Sequence, residues 1–132
     1  MKLVNSNEDA ENLEVWKKSV DFVIEIYRST ATFPSDERFG LTSQIRRAAV
    51  SIPANIAEGA ARTSEKEFLY FLSIAQGSAS EVSTEILIAF RLGYVTEDLH
   101  RTLTARLDEI GRMISGLRNH LKSKTKLSNL AI

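Results

Sequence analysis

Cysteine is absent, and proline and glycine are scarce, at 2 and 6 of 132 residues. The first absence excludes disulfides, thiolate metal sites and thiol catalysis, and it suits a reducing cytoplasm. The second excludes a many-turned all-β protein and puts a helical fold first. Neither sign of charge prevails, since 17 basic residues face 17 acidic ones. Overall charge therefore gives no bias toward nucleic acid or a membrane. Long apolar runs are missing too. None is longer than Ile86–Phe90, far short of a membrane span. Met1 to Ser6 hold no apolar signal core. What is present, 43% hydrophobic and 26% charged residues, describes one ordinary globular domain over residues 1–132. Such a chain can bury a core without staples.

The balanced charge is unevenly spread. Residues 1–37 carry −4, residues 38–63 carry +3, residues 64–95 carry −2 and residues 96–132 carry +3. In the last block Arg112, Arg118, Lys122, Lys124 and Lys126 run without an intervening acid. Cations suit the negative end of a helix, which is the plainer reading. A basic patch for an anionic partner is the sharper one.

Apolar periodicity predicts four helices, with the ordered core over about residues 11–122. The first spans about Glu11 to Ser29, with Leu13, Trp16, Val20, Val23, Ile24 and Tyr27 as its seam. Phe33-Pro34 breaks it, and Ser35 or Asp36 is a candidate cap for the next helix. That second helix runs from Phe39 or Leu41 to Ala60 on a stripe of Leu41, Ile45, Ala49, Ile52 and Ile56. Pro53 lies inside it, and because the stripe keeps its phase, one helix kinked at Pro53 is expected rather than two. Gly59 reads as its stop.

Ser64 and Glu67 form a capping box that opens the longest helix, Glu65 to Leu92, closed by Gly93. Its main seam is Phe68, Phe71 or Leu72, Ala75, Ala79, Val82, Ile86 and Ala89. Small residues at its middle, around Gly77, suggest close helix–helix approach. Thr96 caps the fourth helix, striped by Leu99, Leu103, Leu107, Ile110, Ile114, Leu117 and Leu121 to about Lys122. A frayed tail is expected beyond. The whole reads as an all-α, antiparallel up-down-up-down four-helix bundle.

Two helices carry more apolar surface than a lone bundle needs. Val15, Phe22 and Ile26 supplement the first seam, and Leu69, Ile74, Leu87, Ile88 and Phe90 the third. Surplus apolar surface points to burial between subunits.

Catalytic constellations are wanting. A di-iron bundle needs Glu-x-x-His twice, and Glu97–His100 supplies it once; the residue three before His120 is Leu117. No glycine-rich phosphate loop follows a strand. Glu81 and Glu85 sit one turn apart and repel unless a cation or proton separates them. Arg46, Arg47 or Arg62 is expected to bridge them in a structural salt bridge. The sharper alternative is an acid–base catalytic pair, for which nothing in the sequence supplies a nucleophile or a substrate pocket. Asn55 and Glu58 lie beside Pro53, placed to satisfy carbonyls that the proline frees. No enzyme activity, metal or cofactor is expected.

Several strings together resemble one family. They are Leu13-Glu14-Val15-Trp16, Phe33-Pro34 with Glu37, Gly40-Leu41 and Gln44-Ile45-Arg46-Arg47-Ala48-Ala49. The most distinctive is Ser51-Ile52-Pro53-Ala54-Asn55-Ile56-Ala57-Glu58-Gly59, followed by Arg62 and Ala75-Gln76-Gly77-Ser78 with Glu81. They resemble the 23S rRNA intervening-sequence protein family over about residues 11–122. The resemblance implies a left-handed four-helix bundle assembling as a homopentameric ring, without established enzymatic activity. A related branch holds a basic pentamer that binds nucleic acid and a reverse transcriptase, from which this neutral chain departs. In a five-fold ring every basic patch is repeated five times, so a neutral subunit can still form a polar ring.

The sequence thus predicts a non-enzymatic, ring-forming scaffold contacting RNA or an RNA-associated protein. Arg112, Arg118, Lys122, Lys124 and Lys126 are the first candidates for the anionic contact, and Arg46, Arg47 and Arg62 the second. Trp16 and Tyr27 are expected in the core or between subunits rather than as stacking platforms. The alternative is a structural or protein-binding module without nucleic-acid affinity.

Overall fold

The computed structural model describes residues 10 and 13–131, with side chains as far as Thr125. The chain forms α1 (Glu14–Thr30), a 3-10 turn (Ser35–Glu37), α2 (Leu41–Ala60), α3 (Glu65–Arg91) and α4 (Glu97–Ala131). No strand occurs among the described residues. Each helix packs on its chain neighbours and α4 returns to α1, while among the described residues the backbones of diagonal pairs stay apart.

Successive helices run in opposite senses. Gly59 of α2 faces Phe68 and Phe71 of α3, while Ser51 and Ser78 share a hydroxyl hydrogen bond of 2.8 Å. Gln76 of α3 donates to Ser115 of α4 at 2.7 Å, and Thr125 donates to Glu65 at 2.8 Å. Lys18 and Glu109 pair at 2.9 Å across α1 and α4.

Local chemistry sets most boundaries. Ser64 Oγ accepts from the Glu67 N–H at 3.1 Å, and Thr96 Oγ1 accepts from the Leu99 N–H at 3.1 Å. Both supply acceptors to otherwise orphaned first-turn donors. α3 ends where Gly93 takes φ +81. The Gly93 N–H then bonds the Phe90 carbonyl and the Tyr94 N–H that of Ala89, a Schellman closure that favours glycine.

α2 is capped differently from the expectation. Ser35 and Asp36 belong to the 3-10 turn, and the Leu41 N–H is met by Glu37 Oε1 at 3.1 Å. α2 continues through Pro53 as one helix. The helix ends at Ala60 as expected, but Gly59 lies within its last turn and lacks the positive φ of a glycine stop.

The core is built as the pattern predicts on three helices: Ile45, Ala49, Ile52 and Ile56 on α2, Leu72, Ala75, Ala79, Val82 and Ile86 on α3, and Leu103, Leu107, Ile110 and Ile114 on α4. On α1 the expected seam is reversed. Val15, Ser19, Phe22, Ile26 and Thr30 are buried, whereas Ile24 and Tyr27 are exposed and Trp16 is half-buried against the core. Ser19 and Thr30 reach the core because each hydroxyl donates into its own helix, to Trp16 O and Ile26 O. Buried hydroxyls are tolerated when so satisfied.

α4 also outruns the predicted end near Lys122 and continues to Ala131. Lys124 and Thr125 bind Glu65 at the start of α3, so α4 must extend to flank that whole helix. The predicted start at Glu11 lies outside the described residues.

Candidate nucleic-acid interface

The expected anionic contact on α4 is dispersed by the fold. Arg118 is half-buried and donates to Gln76 Oε1, and its buried Nε has no partner among the described residues. Lys124 lies 3.5 Å from Glu65. Arg112 and Lys122 remain exposed, and the side chain of Lys126 lies outside the described residues. Of the second group, Arg62 pairs with Glu58 and covers the Phe71 ring at 4.9 Å.

Arg46 and Arg47 instead belong to another surface. Between the end of α1 and the start of α2 lies an open groove of about 530 Å³, lined by Tyr27, Arg38, Phe39, Arg46, Arg47 and Val50 among others. Phe39 is 87% exposed and Tyr27 43%. Arg38 lies 5.2 Å from the Phe39 ring centroid and Arg46 4.6 Å from that of Tyr27. Arg46 is held there by Thr30 Oγ1 at 2.8 Å and the Tyr27 carbonyl at 3.3 Å.

The connection ahead of α2 fixes this arrangement. Glu37 accepts the Leu41 N–H through Oε1 and the Tyr94 hydroxyl through Oε2, at 3.0 Å. That hydrogen bond raises the Tyr94 hydroxyl pKa above its ordinary value. Tyr94 in turn packs on Phe33, with ring centroids 5.3 Å apart. The carboxylate is thereby drawn inward while Arg38 and Phe39 stand out. Sequence reasoning passed over Arg38 and Phe39. The available signal was the spacing of Phe39, Ser43, Arg46 and Val50 along one helical face.

The polar motif behaves otherwise. Asn55 donates to Ser51 O at 2.8 Å and Ser51 Oγ at 2.9 Å, a local structural role beside Pro53. The expected cation between Glu81 and Glu85 is missing: among the described residues neither is ion-paired. Arg46 and Arg62 are held elsewhere. Glu85 is 5% exposed, its Oε1 has no partner among the described residues, and burial with Glu81 nearby pushes its pKa up to about 7. Below about pH 7 a proton, rather than a guanidinium, relieves the pair. The residues weighed as half a di-iron motif are also engaged. Glu97 pairs with Arg101 at 2.9 Å, and the His100 ring stacks on Phe90 at 4.6 Å. Among the described residues no three His, Cys, Asp or Glu side chains could hold a metal, and no helix is long and apolar enough to cross a membrane.

The 23S rRNA-intervening sequence protein family matches residues 11–116. The chain belongs to this family. It is also similar in structure to a protein of unknown function from the S23 ribosomal protein family of Bacteroides thetaiotaomicron VPI-5482. The TM-score is 0.72 and the identity 26%, covering 79% of this chain and 97% of that one. No curated protein matches. The family is one of unknown function, so its membership agrees with the all-α fold and leaves the role of the groove to its own chemistry.

Proposed function

We propose that this member of the 23S rRNA-intervening sequence family is a non-enzymatic scaffold that assembles into a ring, pentameric on the sequence resemblance, and contacts RNA or an RNA-associated protein. One observation carries the reading. Tyr70, Leu87 and Ile88 are exposed on α3, and a Cβ added at Gly77 would meet nothing within 4 Å. Tyr70, Gly77 and Ile88 fall on one line of the helix, since steps of seven and eleven residues return to the same side. A glycine inside a helix costs about 1 kcal/mol relative to alanine, and none of the described residues uses the space it leaves. Two apolar knobs flanking a smooth gap suit a neighbouring subunit's helix.

Light scattering on the purified chain tests the assembly. The expected mass is about five times the 14.8 kDa of the subunit, and a monomer at micromolar concentration overturns the ring. The RNA contact belongs to bases that the fold both leaves without a carboxylate and gathers on one surface, which the dispersed run on α4 is not. Binding to RNA should weaken steeply between low and moderate salt as counterions are released. An assembled ring that binds no RNA even at low salt is instead a protein-binding module, a reading favoured by the chain's net charge of zero.

A further inference from the structure

The α1–α2 groove has the composition of a single-strand platform: a positive channel for a backbone beside flat rings for bases. Arg38, Arg46 and Arg47 are ion-paired to no carboxylate among the described residues. None of the residues lining the groove is acidic. The nearby Glu37 is committed to Leu41 and Tyr94. Glu58, the one acid within residues 38–63, pairs with Arg62 near the far end of α2.

We propose that a single-stranded polynucleotide docks in this groove, with a base stacked on Phe39 and phosphates on Arg38 and Arg47. Arg46, fixed over Tyr27, is a stationary positive charge at its side. The proposal rests on the RNA contact argued above and gives it a place. Phosphate oxygens match guanidinium donors in charge and geometry. An apolar face of a second subunit would desolvate three guanidiniums without pairing them, which opposes that occupant. The exposed ring of Phe39 serves any base, because every base has a π-face.

The test is fluorescence anisotropy with labelled oligouridine RNA and oligothymidine DNA of about 12 nucleotides at low salt, on a scale fitting one such groove. F39A should weaken binding about 5- to 50-fold. The ring is almost wholly exposed, so folding should be unaffected. The R38E/R47E pair should weaken it at least about 10-fold and flatten the salt dependence by about two counterions. R112E/K122E on α4 should stay within about 2-fold of the parent, a small rim effect. Loss with F39A on either strand chemistry supports the groove, and the two probes distinguish RNA from DNA as its source. If the groove variants bind like the parent while the α4 pair loses affinity, the groove is refuted and the RNA contact survives. If the parent binds neither probe, both fall, whereas the ring is judged separately by its mass. A changed mass with unchanged affinity in F39A makes the groove a subunit contact and overturns the proposal.

Discussion

α3 is sealed against α2, yet an open channel remains between it and α4. On the α2 side, a Cβ at Gly59 would lie 2.8 Å from a ring atom of Phe68 and 2.9 Å from the Phe71 Cβ. Ser51 and Ser78 close the same seam with a hydroxyl pair. On the α4 side, small residues including Ser80, Ser83, Gly111, Ser115 and Gly116 border an open groove of about 610 Å³. A Cβ at Gly111 or Gly116 would meet nothing within 4 Å. Glycine is thus required in one seam and idle in the other. A glycine in a helix says that space was left; only the fold says whether the chain itself fills it.

The largest effect expected from this contrast is at Gly59. The atom that a new methyl meets on Phe71 is its Cβ, which cannot swing aside as a side-chain tip would. Gly59→Ala must therefore separate α2 from α3, at a cost of about 2–3 kcal/mol. Urea denaturation at fixed protein concentration measures it. A variant as stable as the parent would show that the seam is not closed.

The sealed side also carries the buried acid. Glu85 lies seven residues, two turns, beyond Ser78, and so shares the α2 side of α3. Its folded pKa of about 7 exceeds the ordinary 4.5, so the folded state holds the proton more tightly than the unfolded one. Stability from this group is therefore fully present below about pH 4.5 and is lost as pH rises through about 7. Between pH 5 and pH 8 the parent should lose about 2 kcal/mol relative to Glu85→Gln. Denaturation at both pH values reads the difference, and identical pH slopes in the two proteins would contradict a proton-relieved pair.

These contrasts show what the letters of the sequence conveyed. Caps at Ser64 and Thr96 and the closure at Gly93 were legible because each depends on residues within a few positions. The stripes of α2, α3 and α4 were legible because apolar letters alone mark their cores. α1 was misread because Ser19 and Thr30 are buried polar letters whose hydroxyls are satisfied locally, while Ile24 and Tyr27 are apolar letters that face outward. The roles of Gly59 and Gly77 were exchanged for a related reason. A glycine's purpose depends on the helix opposite, which spacing along one chain does not reveal. Of the basic candidates, the run on α4 stood out by proximity in sequence. The groove arginines became a group only when the 3-10 turn brought Arg38 beside Arg46 and Arg47.

The smallest effects come from the idle glycines, and they separate a bare surface from a subunit contact. Gly111 and Gly116 border the α3–α4 groove, where alanine gains helix propensity and meets no neighbour. Each substitution to alanine should stabilise by about 0.5–1 kcal/mol without changing the assembled mass. Gly77 has the same open space within the chain but lies on the line of exposed Tyr70 and Ile88. If a neighbouring helix crosses there, an added methyl holds the two backbones apart and cancels the propensity gain. Gly77→Ala should then shift the mass measured on dilution toward the monomer, while Gly111→Ala and Gly116→Ala leave it unchanged. Should Gly77→Ala instead raise stability as the other two do, with its assembly intact, the outer line of α3 is not where subunits meet. The surplus apolar surface would then need another explanation.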